Sequence, residues 1–347
     1  MSSCKTPSFT LCVPTFNRGN RVVELVSSCL PLMDDDWDLL VLDNCSDKFT
    51  SCYEEIQTLS KLSNQLNYIK HDSNRMFAGN FLACFDYSRS PLIMIISDED
   101  IPNFEFIRYS ILMISENPNL GLIAGSVTPQ EGVTPGNSFN LPDAIFNKGK
   151  DALLKYGFMR NYISGGVYNR AKVLELDLQE RLRSNITKHW SYPHLYLEIL
   201  LAARCDIRLS SIVSCYEGQA EATDIVGPDL CSGYHTEKYK PPYSFGARID
   251  QFIALRDAAY EATSLLPEGF DLNTFFSMYI SLFSKYLRLV GLSNAKLYIE
   301  NTMFPALIQE SLYHLARSSI VMYEELRPFT ATILELLEET YEKNKLK

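Results

Sequence analysis

The sequence predicts an α/β fold: parallel strands joined by helices, followed by a helical C-terminal extension. Three observations carry this expectation. Over the first hundred residues, short apolar runs alternate with helix-like segments, the pattern of strands linked by helical crossovers. Beyond "PPYSFGARID", apolar residues recur at three- and four-residue spacing, as in Phe276, Tyr279, Phe283, Tyr286 and Val290, which marks amphipathic helix. The 347 residues, 46% hydrophobic and 21% charged, have the composition of an ordinary globular chain with room for a large core.

The elements follow in order. "SFTLCVPTF" reads as the first strand, with a helix from Arg21 to Met33 after it. "WDLLVLDN" is the second strand, followed by a helix around Glu54 to Ser63. "LNYIKHD" is a third strand, "AGNFLACFDYSR" a third helix and "PLIMIISDED" a fourth strand. One helix and the strand "LGLIAGS" come next. The Gly-, Pro- and Asn-rich "TPQEGVTPGNSFNLPD" then reads as a long surface loop. Ala152 to Tyr156 and "SYPHLYLEILLAAR" are helical patches flanking the glycine pair of "YISGGVYNR".

Composition also narrows the function. A formal net charge of -10 argues against a nucleic-acid partner, since phosphate backbones are held mainly by clustered Lys and Arg. The nine cysteines are dispersed without a CxxC pair, as expected of reduced thiols in a cytoplasmic protein rather than a disulfide framework or zinc site. The opening "MSSCKTPSFT" has no apolar stretch of signal-peptide length, and Leu272 to Ser284 is too short to span a bilayer. A soluble protein is expected, with peripheral contact at the inner face of the cell membrane allowed by the lysine-bearing tail "YEKNKLK".

Chemistry gathers at the predicted strand ends, where loops and helix N-termini converge in parallel sheets. The run "IMIISDED" passes abruptly from apolar residues to Asp98, Glu99 and Asp100. Two carboxylates two residues apart either share a hard divalent cation or cap the next helix in solvent. In a strand-like backbone Glu99 would point away from the other two.

"VPTFNR" ends the first strand and "VLDNCSD" the second. With Asp-x-Asp after the fourth, the three motifs resemble, in order and place, the inverting family 2 nucleotide-sugar glycosyltransferases. The resemblance implies a GT-A, Rossmann-like mixed sheet flanked by helices, within residues 1–235. Residues 1–100 would be the nucleotide-sugar half, 101–235 the acceptor half and 236–347 the helical extension. Pro14 and Thr15 would line the nucleotide pocket, Asp43 would accept a hydrogen bond from the base, and Arg18 would reach the phosphates. Asp98 would sit by the ribose and the metal, and Asp100 would ligate the Mn2+ or Mg2+ that bridges the diphosphate. The family's Asn-x-Gly-x-x-x-Asn run is matched by Asn74 and Asn80 in "NRMFAGN", with Met76 at the glycine position and Arg75 beside it. The donor would be a nucleoside diphosphate sugar, UDP-linked first, with CDP or dTDP as alternatives.

On the acceptor side the family's usual Glu-Asp base motif is missing. "HWSYPHLYLE" stands in its place and, with "ISGGVYNR", resembles an abequosyltransferase-like branch that builds bacterial O-antigen. His194, behind Pro193 and a Ser191 N-cap at a helix N-terminus that favours a neutral ring, would be either the base or a packing or capping histidine. Glu198 one turn later is the fallback, and His189 a third option. Gly165 and Gly166 would let the backbone approach the donor sugar or form a tight turn. His235 would complete the metal shell or lie in a loop. The expected activity is a hexosyltransferase-type transfer to a glycan or polyprenyl-linked acceptor. The alternative is a nucleotide-sugar-binding scaffold without turnover.

Overall fold

In β1 (Phe9–Thr15), β2 (Trp37–Asp43) and β4 (Leu92–Ile95), nearly every side chain is buried, because helices cover both faces of the sheet. The computed structural model describes residues 6–133, 138–219, 245–297, 304–319 and 324–345. The other strands are β3 (Leu66–Lys70), β5 (Ile101–Pro102), β6 (Leu120–Pro129), β7 (Ala144–Phe146), β8 (Gly166–Asn169) and β9 (Asp206–Glu217). Helices α1 (Gly19–Cys29), α2 (Thr50–Leu62), α3 (Met76–Tyr87) and α4 (Phe104–Glu116) alternate with the first strands. Then come α5 (Lys150–Lys155), α6 (Arg170–Glu175), α7 (Leu178–Ser184) and α8 (Pro193–Arg204). The C-terminal region consists of α9 (Phe245–Ser264), α10 (Leu272–Leu297), α11 (Phe304–Ser319) and α12 (Thr330–Asn344).

The sheet runs in the order β3-β2-β1-β4-β8-β6-β9-β5, with β7 also against β9. β1 pairs in parallel with β2 and β4, and β2 with β3. β8 is antiparallel to both neighbours, which makes the sheet mixed, as the GT-A resemblance implies. Alternate residues divide between two cores. Phe9, Leu11, Val13, Leu39 and Val41 pack under α1, α2 and α4, whereas Cys12, Leu40, Leu42, Ile93 and Ile95 face α3 and α8. Phe252, Leu255 and Ala258 of α9 and Phe275, Tyr279 and Phe283 of α10 join the second core; α9 packs against α8 and α10 against α9, with Tyr279, Phe283 and Tyr286 of the stripe legible in the sequence buried. Among the described residues, no helix is long and apolar enough to cross a membrane.

Three expectations are corrected here. The acidic residues do not belong to the fourth strand: β4 stops at Ile95, and a turn closed by the Asp100 N–H donating to the Ser97 carbonyl (3.1 Å) carries the acids. "YISGGVYNR" contributes the buried strand β8, and Asp206–Glu217 is a twelve-residue strand that the sequence reading left unassigned. The loop after β6 is not wholly at the surface. Leu141 is buried, and Phe139 bridges Val127.

Candidate active site

Parallel register brings the motifs together. Thr15 lies opposite Asp43 at the shared end of β1 and β2, and the Ile96 N–H donates to the Cys12 carbonyl (3.0 Å), which sets the acidic turn beside the end of β1. There the Thr15 hydroxyl donates to Asp98 Oδ2 (2.8 Å), and Arg18 Nη1 donates to Asp98 Oδ1 (3.1 Å) and Glu99 Oε2 (2.8 Å). Arg21 Nη1 reaches the same Glu99 oxygen at 3.1 Å. Glu99 therefore does not point away from its neighbours. The turn replaces the strand-like alternation that would have sent it outward, and Glu99 joins Asp98 around Arg18.

Asp100 is held differently. Tyr162 OH lies 2.8 Å from both of its carboxylate oxygens, and the Gly218 N–H donates to Oδ1 (2.9 Å). Both acids are buried, Asp98 at 5% and Asp100 at 1% exposure. Burial pushes the Asp98 carboxyl above the usual range, with Arg18 and Thr15 pulling the other way. Burial likewise raises Asp100, opposed by hydrogen bonds from Ser164, Gly218 and Tyr162, while the Glu217 carboxylate adds to the rise. Two desolvated carboxylates whose ionised forms are disfavoured gain from a nearby cation.

Asp98 and Asp100 offer the hard oxygen donors that Mn2+ or Mg2+ takes. Among the described residues no three His, Cys, Asp or Glu side chains converge into a cage. That donor set suits a cation bound through one or two carboxylates, with the rest of its shell from substrate phosphates and water. His235 lies outside the described residues.

Asp43 is fully buried. Its oxygens accept from the Ser46 N–H (2.8 Å) and Tyr68 OH (2.8 Å), with Lys70 Nζ at 3.8 Å. In this arrangement the carboxylate shapes the loop after β2 from beneath. Asn74 Oδ1 accepts from Asn44 Nδ2 (2.9 Å) and the Met76 N–H (2.7 Å), and Asn44 Oδ1 accepts from the Arg75 N–H (2.8 Å). Arg75 itself is exposed and lies 5.8 Å over the Tyr87 ring. Met76 has φ of 61°, so the side chain that replaces the family's glycine is held in the left-handed region glycine favours.

Asn80, the glycine pair, Glu198, His194 and His189 lie in the interior. Asn80 is buried, pairs with His71 Nε2 (3.0 Å) and donates to the Leu42 carbonyl (3.1 Å), which fastens α3 to the sheet. The space beside the glycine pair is filled from within. A Cβ on Gly165, whose φ is 89°, would come within 2.5 Å of Ser214 Oγ, and one on Gly166 within 2.9 Å of Arg160 Nη2. Glu198 is not an open base. Its carboxylate, 1% exposed, accepts from Arg160 Nη2 (2.8 Å), Tyr168 OH (2.7 Å) and Tyr156 OH (2.5 Å). Burial alone would raise its pKa, but Arg160, His194 and the two hydroxyls carry it below the usual value.

His194 does sit at the start of α8, yet it is enclosed between Phe81 and Tyr192 at 3% exposure, and neither ring nitrogen has a partner among the described residues. Its pKa falls to about 4, chiefly through burial rather than through the helix terminus. Ser191 does not cap that helix. Tyr192 precedes it, and Ser191 Oγ accepts from Gln251 Nε2 (2.9 Å). His189 is equally enclosed, stacked 4.0 Å from Tyr196, with its pKa brought to about 3 by burial. Tyr162, Ser164, Gly218 and Arg21, which do touch the acidic turn, were invisible in the sequence. They arrive from three separate stretches of chain, α1, the segment before β8 and the end of β9, and their spacing carries no signal.

Residues 10–176, just under half of the chain, match the model of "Glycosyl transferase family 2". No curated protein matches the chain in sequence. Its fold is similar to S. aureus TarS 1-349 in complex with UDP (12% identity, 97% of this chain and 92% of that one, TM-score 0.57). The UDP-GlcNAc complex of the same protein gives 16% identity, the same coverages and a TM-score of 0.53. Against S. aureus TarS as a longer chain the values are 13%, 96% of this chain, 54% of that chain and 0.59. The strand-end motifs, the mixed sheet and the family match over residues 10–176 agree: the protein is a glycosyltransferase of GT-A fold.

Proposed function

We propose that the protein transfers a sugar, with inversion, from a nucleoside diphosphate donor to a glycan or polyprenyl-linked acceptor in assembly of a bacterial surface polysaccharide. The observation that carries this reading is the meeting of Thr15, Arg18, Asp98 and Asp100 at adjoining strand ends. UDP is the first candidate nucleotide, since TarS of similar fold is described with UDP and UDP-GlcNAc. CDP and dTDP remain alternatives. The "ISGGVYNR" and "SYPHLYLE" runs support the abequosyltransferase-like branch and, through it, the surface-polysaccharide role.

In this reading Asp98 and Asp100 hold Mn2+ or Mg2+, with His235 as a further ligand. A bound divalent ion supplies Lewis-acid stabilisation to the departing diphosphate. Arg18, already beside Asp98, turns to the phosphates as donor binds, and Thr15 keeps the Asp98 carboxylate oriented. Pro14 and the loop that Asp43 braces line the nucleotide. Arg75, exposed next to Asn74, faces the sugar side. Proton acceptance from the acceptor is assigned to neither His194 nor Glu198, because both are enclosed. The protein works in the cytoplasm, peripherally at the membrane's inner face.

Calorimetric titration of UDP, CDP and dTDP with and without MnCl2, followed by hydrolysis of the matching donor sugar and NMR of the product anomer, tests the proposal. Asp100→Asn should weaken the Mn2+-dependent part of nucleotide binding by about 10–100-fold or more. Wild-type protein that binds none of the nucleotides with Mn2+, or a retaining product, would overturn it.

A further inference from the structure

We propose that Arg160 is a positioning residue for Asp100: anchored on Glu198 deep beneath the site, its guanidinium fixes the 160–166 segment that grips the acidic turn. The inference rests on the reading of Asp100 as part of the donor site. Arg160 Nη1 donates to the Ser164 carbonyl (2.9 Å), which closes the segment on itself. Ser164 Oγ then accepts from the Ser97 N–H (2.9 Å) at the base of the turn, and its hydroxyl also serves Asp100. Tyr162, within the same closed segment, donates to Asp100. From Glu198 to Asp100 the connection is therefore unbroken: Glu198, Arg160, Ser164 and Tyr162, Asp100.

The cost of this arrangement argues that it does more than stabilise the fold. The Arg160 and Glu198 side chains are each 1% exposed, and an ion pair so deeply buried is as a rule no more stable than apolar side chains of similar size. Arg160 Nε has no partner among the described residues, so the guanidinium is oriented by its two Nη contacts rather than by full pairing. Gly166 is required to be side-chain-free by Arg160 itself, and Gly165 takes its positive φ where Ser214 packs. Outer partners of this kind set the orientation of metal-binding carboxylates.

The test uses the double variant Arg160→Met/Glu198→Met, which removes both charges, and Arg160→Lys, which keeps a charge facing Glu198 but lacks the planar fork that also reaches Ser164. Amide hydrogen exchange is read at Ser97 and Gly218, whose N–H groups bond Ser164 and Asp100, and UDP affinity is read with MnCl2 present. At least one variant should melt within about 5 °C of wild type. In it both amides should exchange about tenfold faster or more, with amides in the middle of α8 unchanged. Mn2+-dependent UDP affinity should fall about tenfold or more. Wild-type exchange at both amides in a folded variant overturns the inference. Failure of the wild-type protein to bind UDP, CDP or dTDP with Mn2+ would sink the functional reading alone, because the exchange measurement still decides the role of Arg160.

Discussion

Replacing His194 by Leu removes a ring that the fold holds neutral, and the consequence can be worked out. Burial lowers its pKa from 6.5 to about 4, with Glu198 favouring the charged form and Arg160 and Lys285 opposing it. The unfolded chain therefore takes up the proton first as pH falls. The neutral ring's contribution is complete above about pH 6.5 and is lost progressively down to about pH 4. A shift of about 2.5 units at 1.36 kcal/mol each corresponds to roughly 3 kcal/mol. Urea unfolding of wild type and His194→Leu at intervals from pH 7.5 to 4.5 should show the variant gaining on wild type as pH falls, approaching that amount. His189, with its own pKa near 3, remains in both proteins and cancels in the comparison. A stability difference that is flat over this range would refute the reasoning. A fall in kcat of about 10²–10⁴-fold with donor affinity intact would instead return His194 to the role of base.

Two further outcomes are expected. Met76→Gly should leave stability unchanged or raise it by up to about 1 kcal/mol, because relief of a left-handed methionine, worth about 1–2 kcal/mol, outweighs the entropy of glycine. Thermal or urea unfolding checks this, and destabilisation beyond about 1 kcal/mol would contradict it. Asn80→Ala should cost about 1–3 kcal/mol by stranding His71 and the Leu42 carbonyl, with nucleotide affinity of the folded protein unchanged. Lost affinity at unaltered stability would restore Asn80 to the donor site.

Taken by itself, the sequence determined the strand-helix alternation, the placing of "VPTFNR", "VLDNCSD" and "SDED" at strand ends, and the apolar stripe of the C-terminal helices. These are local signals: apolar periodicity and motif order are written along the chain, and parallel strands must bring their C-terminal ends together. What surrounds each side chain was decided only by the tertiary structure. Glu99 joined Asp98 because a turn, not a strand, carries the acids. Glu198 and His194 looked available beside a helix start, but α8 is buried along almost its whole length, so one became an internal ion-pair partner and the other an enclosed neutral ring. The glycine pair, read as room for a donor sugar or as a tight turn, lies where an added side chain would meet Ser214 and Arg160. Burial and long-range hydrogen bonding depend on residues far apart in the chain, and they determine the partners that each acid has.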